Sequence, residues 1–76
     1  MTKGERVIRP DFAKDNSVKE VKQLFTILYD KIDNLYHEAY GIGPHTEEVF
    51  EKLRCYQESL RNLETSAMYA VKGLTV

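Results

Sequence analysis

From Leu53 onward, apolar or small residues recur at Leu53, Tyr56, Leu60, Leu63, Ala67, Ala70 and Leu74, in alternating steps of three and four. Only a helix gathers such residues on one side, so Glu47 to Lys72 is expected to form one long amphipathic helix with a coiled-coil-like seam. A second stripe with the same alternation precedes it: Val18, Val21, Phe25, Leu28, Ile32, Leu35 and Ala39. Gly41, Gly43 and Pro44 interrupt the chain between the two. Two seams joined by a tight turn bury each other most simply as an antiparallel helical hairpin.

The ends of these helices carry their own signals. Ser17 followed by Glu20 makes a capping box at the start of the first helix, with Asp15 or Asn16 as alternative caps. Gly41 is expected to end that helix in the left-handed conformation. Thr46 is the expected N-cap of the second helix, with Glu47 and Glu48 in its positive first turn. Gly73 is the expected stop, with Leu74 folding back on Tyr69 or Met68. The reading is therefore all-α, a single domain over residues 1–76: an amino-terminal arm or short helix at 1–16, a first long helix at 17–40, a turn at 41–45 and a second long helix at 46–73.

Each helix has more apolar surface than one seam consumes. Leu24, Tyr29, Tyr36 and Tyr40 lie off the first stripe, and Phe50, Met68 and Val71 off the second. A chain of 76 residues has a marginal core by itself. These two facts together lead us to expect assembly into a homo-oligomer. The face running Glu51, Glu58, Thr65 and Lys72 is polar throughout and is the expected solvent side.

Charge narrows the function classes. Lys and Arg number 11 against 12 Asp and Glu, a net charge of −1, so the chain lacks the basic field on which binding to long nucleic acid depends. There is no apolar run that would cross a bilayer and no signal-like segment after the amino terminus, which leads us to expect a cytoplasmic protein. Cys55 is the one cysteine, so no internal disulfide or thiolate metal cluster can form. His37 and His45 lack the i, i+4 pairing or neighbouring cysteines of a zinc site. Arg54 beside Cys55 would favour a thiolate, but no histidine base is near in sequence. No carboxylate pair stands out as acid and base, and the turn glycines lack the Lys-Ser/Thr that follows a phosphate loop. We therefore expect no enzyme activity, cofactor or metal.

A binding surface remains. Arg9 and Phe12 lie three apart in the arm, where Phe12 either packs the arm down or contacts a ligand. Arg54 and Arg61 are one heptad apart on the second helix, about 10 Å by helical rise. Lys22 lies beside the first seam. Cations so placed are commonly solvated or paired with neighbouring Glu. Copies brought together around a symmetry axis would nevertheless give each pocket several positive charges, suited to a small anion with two or three phosphates.

The run Arg54, Cys55, then Leu63, Glu64, Thr65, Ser66, Ala67, Met68, Tyr69, Ala70, Val71, Lys72, Gly73, Leu74, Thr75 resembles the carboxy-terminal helix of the phage anti-CBASS and anti-Thoeris sponge family. Arg9, an aromatic-containing arm, and Val18, Glu20, Val21, Lys22 leading into Asp30, Lys31, Ile32 extend the likeness more loosely over most of the chain outside the turn. Members of that family are small helical hairpins that assemble into oligomers, typically hexamers. They sequester cyclic oligonucleotide second messengers made by infected bacteria, and relatives capture cyclic ADP-ribose-type signals. The resemblance implies a phage protein acting in the host bacterial cytoplasm, a homohexamer with cyclic di- and trinucleotides as ligands. It implies that Phe12 stacks on a base, that Lys22 meets phosphate and that Arg61, or else Arg54, serves a second, threefold type of pocket. Tyr69 departs from the family's frequent Trp, and the turn here is short. The other readings are a protein-binding helical-hairpin adaptor or inhibitor acting on a host partner, and a small nucleic-acid accessory factor, which the charge disfavours.

Overall fold

The computed structural model describes residues 1–11 and 15–76, and every element among them is helical: α1 (Lys3–Ile8), α2 (Asn16–Gly41) and α3 (Glu47–Thr75). The Cα trace extends 46 Å along its longest axis. That length is set by α3, whose 29 residues span about 44 Å at helical rise.

The short amino-terminal helix exists because both ends are satisfied locally. Thr2 Oγ1 accepts from the Glu5 amide at 3.1 Å, and the Glu5 carboxylate accepts from the Thr2 amide at 2.9 Å, a complete capping box. At the other end Arg9 turns left-handed (φ 57°, ψ 62°) and its amide donates to the Glu5 carbonyl at 3.0 Å. Gly4 sits directly on α2, its amide donating to Asp30 Oδ1 at 2.8 Å. A Cβ there would lie 2.5 Å from that oxygen and 2.8 Å from the Thr26 carbonyl oxygen. Only glycine permits so close an approach.

At the start of α2 the cap is one of the stated alternatives to Ser17, and at the ends of α2 and α3 the expected glycine caps do not form. α2 begins at Asn16, capped by Asp15, whose carboxylate accepts from the Val18 amide at 2.9 Å; Ser17 is inside the helix and exposed. Gly41 is the last residue of α2, but among the described residues no glycine has positive φ. The His45 ring lies within hydrogen-bonding distance of the Tyr40 carbonyl, 2.7 Å from Nε2, and satisfies an orphan acceptor that a left-handed glycine would otherwise have helped to pair. Gly73 does not stop α3, which continues to Thr75, and Leu74 stays exposed instead of folding back. The Thr75 hydroxyl lies 3.1 Å from the Val71 carbonyl and 3.2 Å from that of Lys72, so the last turn is supported from within. Thr46 caps α3 as expected, accepting from the Val49 amide at 3.3 Å, with Glu47 and Glu48 in the first turn.

The two long helices pack along their length. Early α3 meets late α2, where Gln57 Nε2 donates to the Tyr36 hydroxyl at 3.3 Å. The connection is held by aromatic contacts that run from Tyr36 to Tyr40, from Tyr40 to His45 and from His45 to Phe50, with ring centroids 6.3, 5.0 and 5.6 Å apart. Their common core contains Tyr29, Leu60 and Ala67 together with Ile8 from α1, with Val7, Phe25, Ile32 and Leu63 packed around them. Leu53 and Val18 are buried as well. Tyr29 corrects the seam reading: it is 4% exposed, whereas Leu28, placed on the stripe, is 48% exposed. Tyr29 joins Leu60 and Ala67 of α3 as well as Ile8 of α1 in the core, while Thr26 lies under α1 where Gly4 approaches its carbonyl. Among the described residues no helix is long and apolar enough to cross a membrane.

Candidate functional site

Where α1 crosses the upper part of the long helices it leaves a groove of about 300 Å³. Val7 and Ile8 of α1, Lys22 of α2, and Glu64, Ala67, Met68 and Val71 of α3 line it. The site is a product of α1 docking. The capping box holds that helix together, the Gly4 contact sets its distance from α2, and Ile8 anchors it in the core. The remaining wall is apolar, with Ala67 on the α3 seam and Met68 and Val71 beside it.

Lys22 is half-buried at this wall, and its Nζ donates to the Arg9 carbonyl at 3.3 Å. The structure thus joins two of the sequence candidates, through the side chain of one and the backbone of the other. The Arg9 side chain is exposed and lines a neighbouring hollow with Met1, Glu5, Arg6 and Asp11. Phe12, the candidate stacking aromatic, lies outside the described residues.

Arg54 and Arg61 are placed differently. Neither lines the groove. Each is bound to a carboxylate one turn earlier on α3: Arg54 makes a two-pronged contact with Glu51, one arm of it Nε to Oε2 at 3.1 Å, and Arg61 Nη1 donates to Glu58 at 2.9 Å. The Arg54 hydrogen bond and charge hold the Glu51 carboxyl below the usual range, and Glu51 in turn raises the Arg54 guanidinium. Both pairs are well exposed, so water screens them and each contributes little to stability.

Two other groups outside the groove have shifted electrostatics. Burial pushes the Tyr29 phenol above its ordinary value, and the carboxylates of Glu64, Asp33 and Asp30 push it further in the same direction. The Glu5 carboxyl is lowered by its backbone and side-chain hydrogen bonds with Thr2. Asp33 also takes Lys3 at 3.9 Å and His37 at 3.5 Å, which ties α1 to α2 a second time. Among the described residues no three His, Cys, Asp or Glu side chains come together as a metal ion would require.

Lys22, a candidate from the sequence, lines this groove, but the walls around it were not foreseen. Val7 and Ile8 follow directly after the Thr2–Glu5 capping spacing, which is the signal for a helix there. Met68 and Val71 were visible as apolar residues off the seam, though not what covers Val71. The groove can receive a flat apolar group and offer an ammonium at its edge. Comparison of the chain with protein-family models, with curated proteins and with solved structures gives no match.

Proposed function

We propose that the chain is a non-enzymatic sponge for cyclic oligonucleotide signals, cyclic dinucleotides first and cyclic trinucleotides second, acting as a phage protein in the cytoplasm of an infected bacterium to block CBASS-type defence. In this reading it is an antiparallel helical hairpin assembled into a homo-oligomer, a hexamer by resemblance. The observation that carries the reading is the groove, in which the Lys22 ammonium is set against Val7, Ile8, Met68 and Val71. A nucleobase has apolar faces to cover, and its phosphate needs a cation beside them. The likeness of the carboxy-terminal run and of the Val18–Lys22 segment to the sponge family supports the same assignment.

Size explains why self-association belongs to the proposal. At about 300 Å³ the groove is at the small end of ligand pockets, which run from about 300 to 1,000 Å³. It holds one nucleoside unit of a cyclic dinucleotide, and the other unit needs a symmetry-related copy. Glu64, also on the wall, repels phosphate, so the phosphate side of the ligand lies toward Lys22 and Arg9. Arg54 and Arg61 serve a separate pocket built between copies, where they exchange Glu51 and Glu58 for ligand phosphate.

A protein-binding adaptor is the second reading, favoured by Phe50 at 58% and Met68 at 60% exposure on one side of α3. Calorimetric titration with a panel of cyclic di- and trinucleotides separates the two. The sponge requires heat with at least one member of the panel. A folded chain that gives none with any member refutes it and leaves the adaptor.

A further inference from the structure

The outer face of α2 carries a second seam that the fold does not use. Ser17, Glu20, Leu24, Ile27, Lys31 and Asn34 follow one another in steps of three and four, all exposed, on the side away from α3 and the core. Leu24 is 62% and Ile27 66% exposed. Neither Glu20 nor Lys31 has an ion-pair partner within the chain among the described residues. An apolar centre flanked by one acid and one base is self-complementary when turned about a two-fold axis.

We propose that this face of α2 is a two-fold interface with a second copy of the chain, in which α2 packs antiparallel on α2 so that Leu24 meets Ile27 and Glu20 meets Lys31 across the axis. In antiparallel packing each layer joins residues whose numbers have a constant sum, and here a single sum satisfies every layer. Leu24 with Ile27, Glu20 with Lys31 and Ser17 with Asn34 all add to 51. These are the a-to-d layers expected of antiparallel helices. Parallel packing would set Glu20 on Glu20 and Lys31 on Lys31. A shift by one heptad would put Leu24 on Asn34 and Ile27 on Lys31. The charges therefore specify orientation and register, while Leu24 and Ile27 supply the apolar contact. The contact rests on the self-association in the proposed function but needs no nucleotide, so the two fail in different assays.

Sedimentation equilibrium of the full chain without ligand tests it, with circular dichroism to show that each variant is helical. The wild type associates in multiples of two. Glu20→Lys and Lys31→Glu each weaken association on the order of tenfold or more, since each replaces two attractive pairs by two repulsive ones. Mixing these two single variants restores it, because in a mixed pair both contacts between positions 20 and 31 again join an acid to a base. The double variant Glu20→Lys/Lys31→Glu restores it as well, with acid and base exchanged. Both substitutions are on the exposed surface, so the readout does not depend on a core change; Ile27→Glu is a second route, expected to give a helical species without this contact. A monomeric wild type at millimolar concentration overturns the proposal, as do charge variants that associate like wild type or fail to recover on mixing.

Discussion

Gly4→Ala is the most informative single substitution, because it sets helix propensity against a close approach between helices. Alanine favours helix over glycine by about 0.8–1 kcal/mol, so local preference alone predicts a more stable α1. The new Cβ, however, would meet the Thr26 carbonyl at 2.8 Å and Asp30 Oδ1 at 2.5 Å. The carboxylate can swing aside; the carbonyl is backbone within α2 and cannot. α1 must therefore lift. Lifting gives up the Gly4–Asp30 hydrogen bond, about 1.5–3 kcal/mol for an amide on a charged acceptor. It also uncovers Ile8, now 7% exposed, whose burial contributes about 1.5–3 kcal/mol. Less the propensity gain, the free energy holding α1 down falls by about 2–5 kcal/mol, the upper end describing complete undocking. Amide hydrogen exchange resolves the effect by element: protection should collapse in residues 3–9 while the centres of α2 and α3 keep theirs. A Gly4→Ala chain with α1 protection equal to or above wild type refutes the docking geometry and, with it, the origin of the groove.

Four further outcomes follow from named contacts. The raised Tyr29 phenol favours the neutral native form, so its contribution is complete below the ordinary tyrosine value near 10 and is lost as pH rises beyond it; Tyr29→Phe should flatten the alkaline limb of a pH–stability curve. The lowered Glu5 carboxyl works in the opposite sense: its contribution is present above the ordinary value of 4.5 and is lost as pH falls through the lower folded value, so α1 protection should drop in acid and Glu5→Gln should remove that dependence. Arg61→Ala should change the unfolding free energy in urea by less than about 1 kcal/mol, since its pair with Glu58 is exposed. Gly73→Ala should stabilise α3 by up to about 1 kcal/mol in the same assay, since Gly73 is inside the helix with open space around its Cβ position.

The two long helices were legible because each seam is sustained over many turns, and the Thr46 cap because a threonine followed by two acids suits the positive end of a helix. The boundary errors have a common physical source. A glycine permits a helix to end but does not compel it: α2 stops at Gly41 as expected, without the left-handed turn, whereas α3 runs through Gly73 to Thr75, whose hydroxyl supports the last turn. Tyr29 was misplaced because the stripe was set on Leu28, one residue early; Tyr29 packs with Leu60 and Ala67 of α3 and also with Ile8, where α1 docks. That docking depends on the absence of a Cβ at Gly4 opposite Thr26 and Asp30, far along the chain, a relation no local pattern encodes. Lys22 was visible as a cation beside the first seam, and the apolar walls that make it part of a groove came only with the fold. The Arg54 and Arg61 pairs, by contrast, follow from i, i+3 spacing to Glu51 and Glu58 and were open to view.

In the proposed function, ligand enters the groove beside Lys22, apart from the arginines of α3. The decisive measurement is titration of one cyclic dinucleotide into wild type, Lys22→Ala and Arg61→Ala, with oligomeric state verified for each. Removing a charge-assisted contact of about 1.5–3 kcal/mol should weaken binding at the groove by about ten- to a hundredfold in Lys22→Ala, while Arg61→Ala keeps the groove's affinity and loses only binding at the separate pocket. Unchanged affinity in an intact Lys22→Ala oligomer, with binding lost in Arg61→Ala, would contradict it.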